Sequence, residues 1–390
     1  MRAAPGTQER PAPVGGAEGE GRAAAVGSLG RIGGSLGRVD VVPLGAGAGI
    51  AAVGVALVLV MNGSYNGLAI TTGLGYAVVT VGMVVQLGYS HQLAFSQSAF
   101  MGVGAYGVAL LETRYGFGVP EAILAVIVVS ALVALVSGSV VTRAPGLALA
   151  LATVLLPVLL YQLATFSHYL GSFTGISGVG SLWSGGSYQG SLVGSGVVLA
   201  LVLGLVTVVA WRILRSSVGL QLGALAEDEA MAEAVGVGLR RRKLELFVLG
   251  SVLAALGGAL VASVQGLATP DIVSVSAELT LLVMLFIGGR RSIPAAIVGA
   301  VGIEWLSTRA QVVSSNLLIL EGVLLLGVLL FEPEGLAGLT QRLARWALAR
   351  RGGGGLGARG GTARTGPAAD LPGASPATVG IGEGADADQG

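Results

Sequence analysis

Apolar residues run along this chain in long blocks rather than in alternation. No Asp, Glu, Lys or Arg occurs from Val41 to Leu111, nor again from Ala144 to Trp211. A water-soluble fold has no means of covering such blocks, so they read as membrane-spanning helices. A bilayer core about 30 Å thick takes about 20 residues of helix. That ruler predicts ten segments, at residues 45–61, 66–87, 94–111, 119–141, 146–166, 191–211, 244–266, 274–289, 293–308 and 316–331. The eighth and ninth are barely long enough, and Pro157 interrupts the fifth. The fold class expected is therefore all-α, a polytopic membrane protein with about ten transmembrane helices.

Basic residues on the connecting loops orient such a chain, because Lys and Arg are retained on the cytoplasmic side. With ten spans and the N-terminus inside, 20 of the 22 basic residues fall inside, leaving only Arg114 and Arg309 outside. Both termini are accordingly expected in the cytoplasm. A re-entrant pair of segments eight and nine keeps the same parity but places Arg290 and Arg291 within or beyond the membrane, at high cost. Residues 1–44 and 341–390 are rich in Gly, Ala, Pro and Arg, and both read as disordered tails, the second basic at its start. Between them, residues 45–340 form the transmembrane domain, with a cytoplasmic loop at 212–243. The N-terminal stretch has no short apolar core or cleavage site of a signal peptide, so the first span is expected to start insertion.

Composition narrows the chemistry further. Of 390 residues, 53% are hydrophobic and only 11% charged, against roughly 25% charged in a typical globular chain. A net charge of +1 gives no reason to expect nucleic-acid binding. Cysteine is absent, which excludes disulfides, thiol catalysis and cysteine metal sites. His91 and His168 fall on opposite sides of the membrane in the predicted topology, so they cannot share a metal. A phosphate-cradling loop needs Gly-Lys-Ser/Thr, but the only lysine, Lys243, follows three arginines and precedes Leu244. No catalytic set, metal site or cofactor site is expected, and the chain cannot itself be a P-loop ATPase.

The loop at 212–243 is the one segment between spans with dense charge. Ala, Leu, Met and Glu favour a helix from about Gln221 to Val235, which Gly236 ends. Leu222, Leu225 and Met231 interleave with Glu227, Asp228, Glu229 and Glu233, so the element is amphipathic. A helix lying on the lipid interface favours Lys and Arg over acids, and docking to a protein accounts better for this one.

Two features within the spans stand out. Gly250, Ala254, Gly258 and Ala262 form a small-residue stripe at spacing four, beside Ser251, Ala255, Ala259 and Ser263, which permits close approach of another helix. Simple bundle packing is the plainer reading of it, and a direct conduit role the alternative. Glu304 and Glu321 lie near the outer ends of spans nine and ten, with Arg309 close enough in sequence to pair with either. They form a structural ion pair at the interface or contact a substrate amine.

Four stretches carry a family resemblance. The first runs from Gly88 to Tyr106 and ends in Ala99-Phe100, Gly102 and Gly104-Ala105-Tyr106. The second is Leu147 to Thr153, followed by Thr174-Gly175. The third runs from Ser217-Val-Gly219 through Glu227-Asp-Glu229 and Glu233-Ala234-Val-Gly236 to Phe247. The fourth joins Ile287-Gly-Gly289, Pro294, Gly299-Ala300 and Phe331-Glu-Pro-Glu-Gly335-Leu336. In order and spacing they resemble the M-type permease subunits of branched-chain amino-acid ABC transporters.

The resemblance implies a permease forming half of a pathway in the plasma (inner) membrane of a prokaryote. Its implied partners are a homologous second permease, two ABC ATPase subunits docked on the acidic helix, and an extracytoplasmic solute-binding protein. It also implies Thr153, Thr174 and Gly175 as pathway positions. The chain departs from the family where a basic residue is usual at Gly223 or Ala226, where an acid is usual near Pro157 and Val158, and at Arg290-Arg291-Ser292. The solutes implied are branched-chain or related hydrophobic amino acids, with urea or short amides as an alternative. A rival class is an ion-coupled secondary transporter, which would draw on Glu304 and Glu321.

Overall fold

The structure is a computed structural model that describes residues 41–61, 64–88, 94–143, 146–183, 186–219, 221 and 238–311. Nine α-helices lie among the described residues: α1 (Val41–Val60), α2 (Ser64–Met83), α3 (Gln97–Tyr115), α4 (Val119–Val141), α5 (Gly146–Phe166), α6 (Tyr188–Arg215), α7 (Leu239–Gln265), α8 (Val275–Gly288) and α9 (Ile293–Gln311). They coincide with the first nine predicted segments, while residues 316–331 lie outside the described residues. Helices α1, α2, α4, α5, α6 and α7 are long and apolar enough to cross a bilayer. Glycine and polar residues make α3 and α9 less apolar, and α8 is short at 14 residues.

Local chemistry accounts for the helix ends. The α3 helix stops at Gly116, which takes the left-handed conformation and donates to the Glu112 carbonyl. Gly266 ends α7 in the same way. Ser274 caps α8 by accepting from the Ala277 amide. Pro157 does not break α5, which runs through it unbroken from Gly146 to Phe166. The lost donor costs the Thr153 carbonyl its helical partner. In a membrane helix, neighbouring groups can make up such a loss.

The core is built around α2 and α7. Helix α7 packs against α2, α3 and α4, and α2 also packs against α6 and α9. Of the α2 span, 89% is buried, against 22% for α4 and 28% for α1. Leu124, Val128, Leu132 and Val136 on α4 are exposed. Such side chains suit hydrocarbon rather than water, and α1, α4 and α5 carry most of this outward-facing apolar surface.

The bundle has two chemically distinct ends. At one, called the basic end, lie Arg143, Arg212, Arg215, Arg240 to Lys243, Arg290 and Arg291. At the other, residues 176–177 (β1) pair antiparallel with 267–268 (β2), Ile176 opposite Ala268. This sheet end also carries the short helical turns His168–Leu170 and Ser172–Thr174.

After β2 the chain turns back into the bundle. A short turn at Pro270–Val273 packs on α3, where Val273 fills the space beside Gly102. Helix α8 starts at that depth and spans only about 21 Å at 1.5 Å per residue. The eighth predicted segment is therefore a part-length helix preceded by irregular chain inside the bundle. Such backbone is tolerated at membrane depth only where protein surrounds it.

Gly175 holds φ at +70°, and a Cβ there would collide with the Ala268 carbonyl. Gly175→Val should open the β1–β2 pairing and lower the melting temperature of detergent-solubilised protein, at a cost of about 1–3 kcal/mol.

Candidate functional site

Close backbone contact defines the interior. On α7, a Cβ added at Gly258 would strike the Met101 carbonyl of α3, and one added at Gly104 of α3 would strike the Ala255 carbonyl. Gly250 faces Gln86, whose Oε1 lies 2.5 Å from where its Cβ would be. Ala254 and Ala262 are fully buried. The neighbouring row, Ser251, Ala255, Ala259 and Ser263, is buried as well. Helix α2 meets α7 through Gly75 and Gly82, which rest on Val261 and Leu253. Small residues thus put three backbones nearly in contact, the arrangement that replaces the hydrophobic effect inside a membrane.

Where α2, α3, α5 and α8 converge, the structure gathers polar side chains. Helix α2 ends in a widened π-turn, Val84–Gly88, that carries Gln86. Gln97 at the start of α3 donates from Nε2 to the Gln86 Oε1. Thr153 of α5 is fully buried, and its Oγ1 accepts from the Phe95 amide at 2.9 Å. Glu278, in the first turn of α8, accepts from the Ser98 amide at 2.7 Å, and the Gln97 amide and the Ser98 hydroxyl are also directed at it. It is only 3% exposed. A cavity of about 10 Å³ adjoins the cluster, lined by Met83, Gln86, Leu87, Phe95, Gln97 and Leu282.

The remaining sequence-derived positions fall elsewhere. Thr174 lies in the sheet-end turn, exposed, with Oγ1 donating to the Gly171 carbonyl, and Gly175 follows it. Thr153 sits 13 residues before the end of α5, about 20 Å of helix away from that end. Thr153 therefore belongs to the interior cluster, and Thr174 and Gly175 to the loop at the sheet end. That loop is tied down by the Glu112 carboxylate, which accepts from the Gly180 amide at 2.8 Å. Arg114 also holds it, donating to the Tyr169 carbonyl at 2.7 Å and lying over the Tyr169 ring.

Glu304 on α9 packs its Cβ and Cγ against Gly73 of α2. Arg309 donates to Asn66 at 2.6 Å and lies over the Trp305 ring, so it ties α9 to the α2 segment. Glu321 lies outside the described residues, as do Glu227, Asp228, Glu229, Glu233, Ala234 and Gly236. Both ends of their loop are described. Arg242 donates to Gln221 at 2.7 Å and pairs with Glu245, as does Arg241. Arg240 reaches the Ser139 carbonyl of α4. The start of α7 is thereby fastened to the loop and to α4.

Sequence reasoning passed over Glu278. Its signal was present, an acid inside the eighth predicted segment, but lying next to Ser274 and Ser276 it reads as part of a helix start. Gln86 and Gln97 gave no signal, because a lone amide in an apolar run does not reveal its partner. No group of three His, Asp or Glu side chains among the described residues is placed to hold a metal ion.

Comparison with known proteins gives the family. A family model described as "Branched-chain amino acid transport system / permease component" matches residues 67–331. The high-affinity branched-chain amino acid transport system permease protein LivM of Salmonella typhimurium is 25% identical over 290 residues, covering 68% of each chain. LivM of Escherichia coli matches with the same identity and coverage. No solved structure matches.

Gly258→Leu should separate α7 from α3 and cost about 1–3 kcal/mol by overpacking, read as a lower melting temperature in detergent. Val128→Leu, at an exposed site of α4, should leave that temperature within about 1 °C. With its interior and its matches agreeing on a multi-pass bundle, the chain belongs to the branched-chain amino acid transport permease family.

Proposed function

We propose that this permease is a subunit of an ATP-driven importer and forms half of the pathway for branched-chain or related hydrophobic amino acids. A homologous second permease supplies the other half. Two ATPase subunits bind from the cytoplasm, and an extracytoplasmic solute-binding protein delivers the solute. ATP is hydrolysed by the partner subunits, and no covalent chemistry occurs in this chain. The observation that carries the reading is the family match across nearly the whole membrane portion.

The coupling mechanism follows from where α7 is fastened. The acidic segment from Glu227 to Glu233 docks on the ATPase, and its loop is held to the start of α7 by Arg242 and Gln221. A push on the loop moves α7 along the glycine contacts with α2 and α3. Because those contacts are small-residue surfaces with few interlocking side chains, they resist sliding weakly.

A second reading, ion-coupled transport without ATPases, draws support from Glu278, a membrane-embedded acid. The two readings part in one measurement: uptake of labelled leucine by cells expressing the complex, with and without its ATPase subunits. Loss of uptake on removing the ATPases supports the importer, and retained uptake supports the rival.

For sidedness, the basic end faces the cytoplasm and the sheet end faces outward, supported by the sorting of arginines between the two ends. A reporter fused after Gly390 should read as cytoplasmic, and an external signal would overturn this orientation. Charge reversal of both Glu229 and Glu233 should abolish solute-stimulated ATP hydrolysis by the assembled transporter while membrane insertion is unchanged. Wild-type stimulation would refute the docking assignment.

A further inference from the structure

We propose that Glu278 is the counter-charge for the ammonium group of a zwitterionic amino-acid solute inside the bundle, with Gln97 as a second acceptor beside it. The proposal rests on the permease reading above and extends it to a named site.

The placement of Glu278 is more than a cap for α3 requires. A serine or asparagine at the N-cap satisfies first-turn amides without charge. Ser96 occupies that position, yet its side chain makes no cap hydrogen bond and its buried hydroxyl has no partner among the described residues. The amides are taken instead by a carboxylate from a helix 180 positions away. Burying a carboxylate is costly unless its charge is met. Among the described residues, no Arg or Lys pairs with Glu278, and its Oε1 has no partner.

Two buried acceptors here are unmet, beside hydroxyls of Ser96 and Ser98 that also lack a geometric partner among the described residues. Besides Glu278 Oε1, the Gln97 Oε1 is buried and lacks a donor. Gln97 lines the cavity of about 10 Å³, close to the room one water occupies, and Glu278 lies beside Gln97 rather than on its wall. An ammonium group brings several N–H donors of its own, enough to meet both the Glu278 and the Gln97 oxygens. Helix interruption at this depth, by the π-turn of α2, the start of α3 and the part-length α8, is the setting in which transporters build solute sites.

The same geometry provides for the solute's other charge. The Gln97 and Ser98 amides point along the α3 axis at Glu278. When Glu278 turns to an arriving ammonium group, those amides are released to a carboxylate, which a helix N-terminus favours. The cavity beside Gln97 is too small for a branched side chain.

The test uses the complete transporter in proteoliposomes and the full-length chain in detergent. Glu278→Gln keeps an oxygen for the Ser98 amide and removes the charge. Leucine uptake should fall by about 30-fold or more relative to wild type at equal amounts of folded transporter in the membrane. On the wild-type chain, leucine should raise the melting temperature. Isocaproate, the same carbon skeleton without the amine, should not. Wild-type leucine uptake by the Gln variant would make Glu278 a structural cap only and overturn the proposal. If the variant is too unstable to purify, the comparison on wild type decides, and stabilisation by isocaproate equal to that by leucine overturns it. Stabilisation that follows sodium chloride rather than leucine would make this a metal-cation site and overturn it too. A wild-type complex that moves no amino acid would defeat the permease reading itself. Uptake intact in wild type and in the Gln variant defeats only the site.

Discussion

The contact between α7 and α3 at Gly258 and Gly104 is the constraint on which the rest of the bundle rests. Inside hydrocarbon, apolar side chains gain little from meeting one another rather than lipid, so helices associate through close packing of backbone on backbone. Here each helix lends a glycine to the other's carbonyl, at Met101 and at Ala255. Helix α2 joins through Gly75 and Gly82. With three backbones this close, there is no room between them for long side chains, and larger apolar residues are displaced outward, as on α4.

That closeness also fixes where polar groups can sit. The start of α3 falls inside the bundle because its early turns are pinned against α7 and, through Gly102, against Val273. An α-helix begun at depth leaves amides without helical partners, and lipid offers none. The structure meets this need from three directions: Thr153 of α5 takes the Phe95 amide, Gln86 accepts from the Gln97 side chain, and Glu278 of α8 takes the first-turn amides. The part-length α8 is what allows Glu278 to arrive at that level. A full-length helix beginning at the sheet end would place its first turn well away from Ser98.

Legibility in the sequence followed the physics of each signal. Apolar run length identified nine helices among the described residues, because span length is set by a bilayer of fixed thickness. Sorting of arginines anticipated the two ends: Arg114 and Arg309, set apart by count alone, lie at the sheet end with Tyr169 and Asn66. The spacing of Gly250, Ala254, Gly258 and Ala262 pointed to a small-residue face, but no spacing names the helix that meets it. The reach of Arg309 was legible and its partner was not, since Asn66 lies 243 positions away. Thr153 and Thr174, joined by resemblance, occupy different depths, a separation that hydropathy does not encode. Glu278 was passed over for a related reason. Its meaning comes from Ser98, and the part-length helix that brings the two together follows from a chain reversal at Pro270–Val273 that the apolar run conceals.

On the proposed reading, the surface that moves and the polar cluster share helices α2 and α3. Gly250 of α7 rests on Gln86, and Gln86 is bonded to Gln97, next in sequence to Ser98 and hence to Glu278. Movement of α7 at Gly250 therefore reaches the acid through two side chains, without requiring a long-range path. On the proposed reading the same helix begins beside the ATPase-docking loop, held there by Arg242 and Gln221. A displacement imposed at the basic end is then carried by one continuous helix, since α7 runs unbroken from Leu239 to Gln265. It meets least resistance where glycine rather than a branched side chain lies at the contact. On the proposed reading the small-residue stripe serves packing and movement by the same property, the absence of side chains to interlock, so that a conduit role and a packing role for it are not alternatives.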